Sequence, residues 1–357
     1  MSRVGANTGR IPAVWRSWIL AGAALLFAGT SPSQALELPM YFLETFGPKG
    51  NVTATLTWGL LILSIVVVVT ISLMVLYATI RRTGSFAPWK MDRILPVSRP
   101  PGGIRWIFGG LGVTALILVG FTIWTVDVMA DIDRPPSDPV FTIEVTGQQW
   151  WWEARYLDGN DPSREFETAN ELHIPVGKPV RIRLLSPDVI HSFWVPALAG
   201  KLDVIPGQVN ETWIQADHPG VFRGQCAEYC GEQHAHMALR VFADPPADFQ
   251  RWWDAQLAIP DAPPEGTLVA AGQQRFQLRC GACHTVRGTL AQGEMGPDLT
   301  HLMSRSSIAA VTLPNTIGHL SGWISDPQQV KPGNHMPNLE LSGPELQAIR
   351  AYLMTLD

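Results

Sequence analysis

Residues 226–237 read Cys-Ala-Glu-Tyr-Cys-Gly-Glu-Gln-His-Ala-His-Met, which places two thiols, imidazole nitrogen and a thioether within one short loop. Such soft donors suit copper far better than magnesium or calcium. A mononuclear blue-copper site needs one cysteine. A second cysteine four positions on, with a histidine and a methionine after it, points to two thiolates bridging two copper ions, so that one electron spreads over both metals. A second set lies at Cys280-Gly281-Ala282-Cys283-His284, the Cys-x-x-Cys-His signature of covalent haem attachment. There the thiols of Cys280 and Cys283 can form thioethers to the haem vinyl groups, and His284 is then placed as an axial iron ligand. Both sets are electron-carrier chemistry. Bound thiolates are not nucleophiles, and no serine, histidine and carboxylate set suggests hydrolysis or group transfer.

These loops need a framework, and the chain changes character several times in supplying it. Residues 1–35 carry Arg3, Arg10 and Arg16 without an acid, then an apolar run, then Ser33-Gln34-Ala35, the layout of a secretory signal cleaved after Ala35. Two uncharged runs follow, at 51–80 and 106–126, long enough to span a bilayer as helices of about 55–80 and 105–126. Between them lie Arg81, Arg82, Lys90, Arg93, Arg99 and Arg105 against the single acid Asp92, while Asp127, Asp131 and Asp133 follow the second run. Positive loops stay inside. The hairpin therefore predicts a multi-pass protein of a bacterial-type inner membrane, in contact with lipid, with everything after residue 127 on the outer, periplasmic side.

Beyond Arg134-Pro135-Pro136, short β-rich runs at 141–145, 150–156, 171–174, 179–185, 212–215 and 238–242 predict a β-sandwich. It closes with an amphipathic helix at 247–257. Proline-rich 259–266 reads as a semi-rigid linker, and the chain is helical after it. The expected division is 1–35 signal, 36–130 N-terminal segment and membrane hairpin, 131–258 copper domain, 259–266 linker and 267–357 haem domain. A loop of thiolates also needs a ligand from elsewhere, and His191, in Asp188-Val189-Ile190-His191-Ser192-Phe193-Trp194, is the candidate.

Composition agrees with this division. The 357 residues leave room for two or three domains, and a 46% hydrophobic share against 16% charged leans towards a membrane protein. The net charge of −5 is mild and the basic residues are scattered, so no nucleic-acid partner is expected. There are four cysteines. Each pair is so close that a disulfide would close only a tiny loop and stabilise little.

The order Cys-x-Glu-x-Cys-Gly-x-x-His-x-x-Met resembles the binuclear copper loop, the CuA loop, of cytochrome c oxidase subunit II, and the segment around His191 resembles the same family. The resemblance implies that Cys226 and Cys230 bridge the coppers, that His191 and His234 each bind one, that Met237 is a weak ligand and that Glu228 contributes its carbonyl. The Glu228 side chain would also help to hold magnesium at the contact with subunit I. His236 is the rival of His234. The run Gly147-Gln148-Gln149-Trp150-Trp151-Trp152 is similar to the family's aromatic segment, with Trp150 at the position through which electrons are received. The loop 331–337, Lys-Pro-Gly-Asn-His-Met-Pro, resembles the methionine loop of small cytochromes c and implies Met336 as the second axial ligand, with His335 as its competitor; a Met/His pair raises the haem potential. Gly296-Pro297-Asp298-Leu299 matches the loop whose proline carbonyl orients the iron-binding histidine, and 266–278 the first helix. Ser342-Gly343-Pro344-Glu345 is a capping box opening a last helix.

Together these features resemble subunit II of a caa3-type oxidase: a multidomain membrane protein with a two-helix transmembrane hairpin, an all-β cupredoxin-like sandwich and an all-α class I cytochrome c domain. The implied partners are subunits I and III and a soluble cytochrome c or similar donor, with oxygen reduced in subunit I. One departure stands out. The family often carries a glutamate at the cytoplasmic start of the second helix, whereas this chain has Arg99 and Arg105 there, which puts a proton-uptake role in doubt. The copper subunit of a nitric oxide reductase and a membrane-tethered copper chaperone are the competing readings; the haem signature argues against the chaperone.

Overall fold

The computed structural model describes residues 37–38, 40–82, 103–159 and 161–357. The expected leader at 1–35 and the loop residues Lys90, Asp92, Arg93 and Arg99 lie outside them. A short strand β1 (Glu37–Leu38) precedes two long helices, α1 (Pro48–Arg82) and α2 (Gly103–Asp133). Both are long and apolar enough to cross a membrane. Val68, Leu73, Leu116 and Leu118 stand exposed along them, as lipid-facing side chains would. The helices run beyond the expected spans at both ends, because hydropathy marks the stretch that suits hydrocarbon and not where helical hydrogen bonding stops. At the outer end they meet the sandwich directly. The Lys49 ammonium donates to Thr212 Oγ1 and lies 5.3 Å over the Trp213 ring, whose Nε1 donates to Ile132 O at 2.9 Å. Gly59 permits the close approach of the two helices, since a Cβ there would lie 2.6 Å from the Trp124 ring.

The sandwich follows, with strands β2 (Thr142–Gln148), β3 (Trp151–Leu157), β4 (Phe166–Ala169), β5 (Glu171–Pro175), β6 (Val180–Leu185), β7 (His191–Trp194), β8 (Leu202–Val204), β9 (Asn210–Ile214), β10 (Gly220–Cys226) and β11 (Ala238–Asp244). One sheet has the order β4-β3-β2-β6-β9 and the other β5-β11-β10-β7-β8, with β1 added in parallel to β10. Alternation puts Ile143 and Val145 of β2, and Val180, Ile182 and Leu184 of β6, into the core between the sheets. Each such aliphatic side chain contributes on the order of 2 kcal/mol on burial. Helix α3 (Pro246–Leu257) covers one end with Phe249 and Trp253.

Five strands of the sandwich are not evident in the sequence: β1, β4, β7, β8 and β10. Two of them carry the metal-ligand candidates. β10 contains Gly220 and Gly224, which depress strand propensity, yet glycine is required at 224. A Cβ there would meet the Leu239 side chain and Trp194 O, each at 2.8 Å.

The remaining chain is mainly helical, with α4 (Leu268–Arg279), α5 (Ile317–Ser325), α6 (Pro327–Val330) and α7 (Gly343–Leu353), and a short antiparallel ladder pairs Ser307–Ile308 with Leu313–Pro314. Thr267 caps α4 by accepting from Ala270 N, and Ser342 with Glu345 forms the expected capping box on α7. Helix α5 is hidden in the sequence by Gly318 and Gly322. Gly272 lets α4 and α7 touch, since a Cβ there would overlap Ala348 O. Residues Glu37–Asp357 form one contact unit.

Where the two soluble parts approach, Glu153 on β3 is half-buried among carboxylates. Burial first, and then Glu167, Glu144 and Glu294, raise its pKa to about 7. A carboxyl that binds its proton more tightly when folded adds stability that is complete below its unfolded pKa and lost as pH rises through the folded value. Glu153→Gln should therefore remove a decline in stability between about pH 4.5 and pH 7. The gain near pH 8 should be no more than about 2 kcal/mol after allowance for solvent screening. Thermal unfolding of the full chain in detergent across that range checks it.

Candidate copper and haem centres

β10 ends on Cys226 and β11 begins at Ala238, and the loop between them closes when Cys226 N–H donates to Met237 O at 2.9 Å. β7 opens with His191 and pairs with β10 through Phe193 and Cys226. Pairing therefore brings His191 beneath a loop that begins 35 residues later. The Cys226 and Cys230 sulfurs lie 3.8 Å apart. His191 Nδ1 is 4.0 Å from Cys226 Sγ, His234 Nδ1 is 3.5 Å from Cys230 Sγ, Met237 Sδ is 3.8 Å from Cys230 Sγ, and Glu228 O is 3.2 Å from Cys226 Sγ. Both cysteines, His191 and Met237 are buried. Among the described residues, His191, Cys226 and Cys230 are the one triad whose ligand atoms all fall within 4.8 Å of one another. His236 turns away, its Nδ1 2.7 Å from Gln233 Oε1. The Glu228 side chain is exposed.

The electrostatics suit metal binding. The hydrogen bond from the Cys230 thiol outweighs burial and, with His191, pulls Cys226 down to about 4, while the same contact and burial push Cys230 up. The Cys226 thiol therefore ionises ahead of that of Cys230, and a metal would displace the proton that Cys230 keeps. Burial opposes a charge on His191, but Asp188 and Cys226 together hold its imidazole above the ordinary value. Asp188 is the residue the sequence reading passed over. Its Oδ1 is 2.8 Å from His191 Nε2, and it also accepts from Val189 N and Gln149 N. The outer nitrogen being held by a carboxylate leaves Nδ1 facing the sulfurs, the arrangement that orients metal-binding histidines. Its only sequence signal was position, three residues before the histidine.

Trp150 lies against the same loop. Its Nε1 donates to Cys230 O at 3.1 Å, and Gln149 Nε2 donates to that carbonyl at 2.7 Å. Gly231 is obligatory here, with φ of +120° and room for a Cβ only 3.0 Å from both the Trp150 ring and Gln149. Trp152 is wholly buried in the core.

In the helical part, the last turn of α4 delivers Cys280, and backbone bonds from Cys283 N and His284 N to Cys280 O bring the three residues of the signature onto one turn. Cys280, His284 and Met336 line a cavity whose walls are apolar, with Phe276, Trp323 and Leu353 among them. His284 Nδ1 is 2.9 Å from Pro297 O, which leaves Nε2 as its free nitrogen. Burial first, and then Arg305, hold His284 below its ordinary value and hence neutral, as an iron ligand must be. Gly296 has no room for a side chain against that ring. Met336 is set by its N–H donating to Asn334 Oδ1 at 2.8 Å and its carbonyl accepting from Gln328. His335 does not line the cavity; its ring lies 5.3 Å from that of Trp150. Arg305 also lines the cavity, and its Nε is buried with no partner among the described residues. An apolar cavity lined by the Cys280 thiol, an imidazole, a thioether and a guanidinium with one nitrogen unpartnered, and with Cys283 on the same turn as Cys280, fits a haem with its carboxylates. All four cysteines are unpaired, as attachment requires.

Both domains resemble known families. The family model described as cytochrome c oxidase subunit II, periplasmic domain, matches residues 159–243, and that described as cytochrome c matches residues 269–357. Cytochrome c oxidase subunit 2 of Alkalihalophilus pseudofirmus is 39% identical over 248 residues, covering 68% of this chain and 70% of that protein. The chain belongs to the cytochrome c oxidase subunit II family. Subunit 2 of Bacillus sp. strain PS3 is 31% identical over 259 residues, 68% of this chain and 71% of its own length. Among solved structures, the periplasmic domain of the Bradyrhizobium japonicum subunit II is 36% identical, covers 34% of this chain and 95% of that one, and has a TM-score of 0.31. As a subunit II with a cytochrome c domain, the protein is an electron-transfer membrane subunit of a haem-copper oxidase. Its copper domain is periplasmic and implies a binuclear copper centre, and its cytochrome c domain implies haem c.

Asp188→Asn keeps the shape but removes the charge that holds His191. It should lower copper affinity by about 10- to 100-fold, the usual cost of losing an outer carboxylate. Competition with a chelator measures it, and the haem spectrum should not change.

Proposed function

We propose that this subunit II is the electron inlet of its oxidase, with Cys226 and Cys230 bridging two coppers, His191 and His234 as terminal ligands, and Met237 and the Glu228 carbonyl as weak ones. Cys280 and Cys283 carry the haem, with His284 and Met336 as axial ligands. The observation that carries this reading is the convergence of two thiols, two imidazole nitrogens, a thioether and a carbonyl around one buried point. Bound copper and haem would supply reversible one-electron carriers. The protein's part is to hold every donor in place, so that little rearrangement accompanies a change of charge. β7 and β10 hold His191 and Cys226 in a sheet, Asp188 holds the outer nitrogen of His191, and the buried walls keep water out.

Trp150 is the residue through which electrons would reach the copper loop. Its hydrogen bond to Cys230 O and its contact with His335 support that role. With only 7% of it exposed, the donor it serves is this chain's own haem domain, and a soluble cytochrome c or similar donor would deliver to that domain. The functional division follows: hairpin 36–130, copper domain 131–258, connector 259–266 and haem domain 267–357. Subunit I, which would reduce oxygen, and subunit III are the partners in a bacterial-type inner membrane. The exposed Glu228 carboxylate would complete a magnesium site only at the contact with subunit I.

Cys230→Ser tests the assignment. In the purified complex it should abolish the mixed-valence copper signal in paramagnetic resonance and the near-infrared bands, with haem c retained and turnover reduced to background. A parent complex whose copper passes readily to a mild chelator, without a mixed-valence signal, would instead favour the chaperone reading.

A further inference from the structure

Lys331 begins the methionine loop, directly before Pro332 and Gly333, where a lysine would be expected in solvent. It is instead 3% exposed. Its ammonium donates to Trp150 O and to His236 O, both at 2.9 Å, and both belong to the copper domain, 181 and 95 residues away in sequence. No carboxylate pairs with it among the described residues. Burying an ammonium on two neutral carbonyls is costly, and an apolar residue would fill the same space without that cost. What the charge adds is a directed bond across the domain contact.

Each end of that bond leads to a redox ligand. On the haem side, Lys331 O accepts from Asn334 N and Nδ2, at 3.1 and 2.6 Å, and Asn334 Oδ1 accepts from Met336 N. On the copper side, the residue whose carbonyl Lys331 grips is Trp150, whose indole donates to Cys230 O. The contact is tight around it. Gln233 Nε2 donates to Pro332 O at 2.6 Å, and Gly333, with φ of +79°, lies directly against the Glu232 carboxylate.

We propose that Lys331 is a positioning residue for electron transfer within the chain, clamping the methionine loop onto Trp150 and the 226–237 loop so that the His335–Trp150 contact sets the separation of the two centres. This rests on the reading that the Cys280–Met336 cavity holds haem and the 226–237 loop holds copper. The step is an outer-sphere transfer of one electron from reduced haem iron to oxidised copper, with no bond made or broken; the oxidase's own cytochrome c-type donor supplies the electron.

The test uses the intact oxidase, with Lys331→Met and Lys331→Arg in the full chain. A photo-excited ruthenium complex reduces haem c, and the haem and near-infrared copper bands are followed together. In Lys331→Met, transfer should slow several-fold, because tunnelling falls off exponentially with a separation that the clamp no longer fixes. Haem and copper content, the copper paramagnetic spectrum and the far-red methionine–iron band should be unchanged, and Lys331→Arg should restore most of the rate. In the parent complex, transfer should not depend on solvent viscosity, since a clamped contact requires no domain movement. A wild-type rate in Lys331→Met with both groups bound would overturn the clamp. So would a viscosity-dependent rate in the parent, a measurement that does not depend on how the variant folds. If electrons placed on the parent's haem never reach copper, the reading of the two sites fails, and the proposal with it.

Discussion

Two cysteine sulfurs held 3.8 Å apart in a buried pocket are the constraint on which the rest of the structure depends. Ionising both in a site closed to water is unfavourable without a cation, and the surrounding residues are arranged to make that unfavourable set as small as possible. Cys226 ionises ahead of Cys230, His191 is held by Asp188, and the Cys230 carbonyl is occupied by both Gln149 and Trp150. The sandwich is what makes this affordable. A loop on its own would let the sulfurs separate, whereas β10 and β11 fix its ends by paired strands and β7 brings His191 from underneath.

The haem cavity is built on the opposite plan. Its donors come from a helix end and a loop, and its walls are apolar side chains of several helices. The two centres are joined by charged groups taken out of water. Glu171 of β5, 3% exposed, accepts from Ser306 N at 2.9 Å and from the hydroxyls of Ser306 and Ser307 at 2.6 and 2.5 Å. Arg240 of β11 donates to Ser306 Oγ at 2.9 Å. Lys331 crosses in the other direction, and Asn170 of the copper domain reaches the wall of the haem cavity. The end of α3, just before the proline-rich connector, is itself bound to the haem domain, with Gln256 O and Ala258 O accepting from Arg287 and His301. Buried charges of this kind add directional specificity to a contact, which an apolar seam would not. For electron transfer, that means a fixed separation between the carriers.

The chemistry was legible because it is local. Cys226 to Met237 and Cys280 to His284 are contiguous, and spacing alone reports the donor types. So are two apolar runs of membrane-spanning length and the alternation of β2 and β6. Asp188 and Lys331 were not legible, since an aspartate three residues before a histidine and a lysine before Pro-Gly are both ordinary surface patterns. β10 was hidden by glycines that a strand normally avoids and that this one needs.

The sequence by itself therefore determined which metals and cofactors suit the chain, on which side of a membrane they would lie, and what kinds of domain carry them. These follow from donor type, hydropathy and charge asymmetry, properties each residue keeps whatever surrounds it. Only the tertiary structure decided which imidazole lies by the thiols and which turns to Gln233, that Trp150 is covered by this chain's own haem domain, and that a buried lysine spans the contact. Those outcomes depend on distances between residues far apart in the chain, which strand pairing and domain packing set.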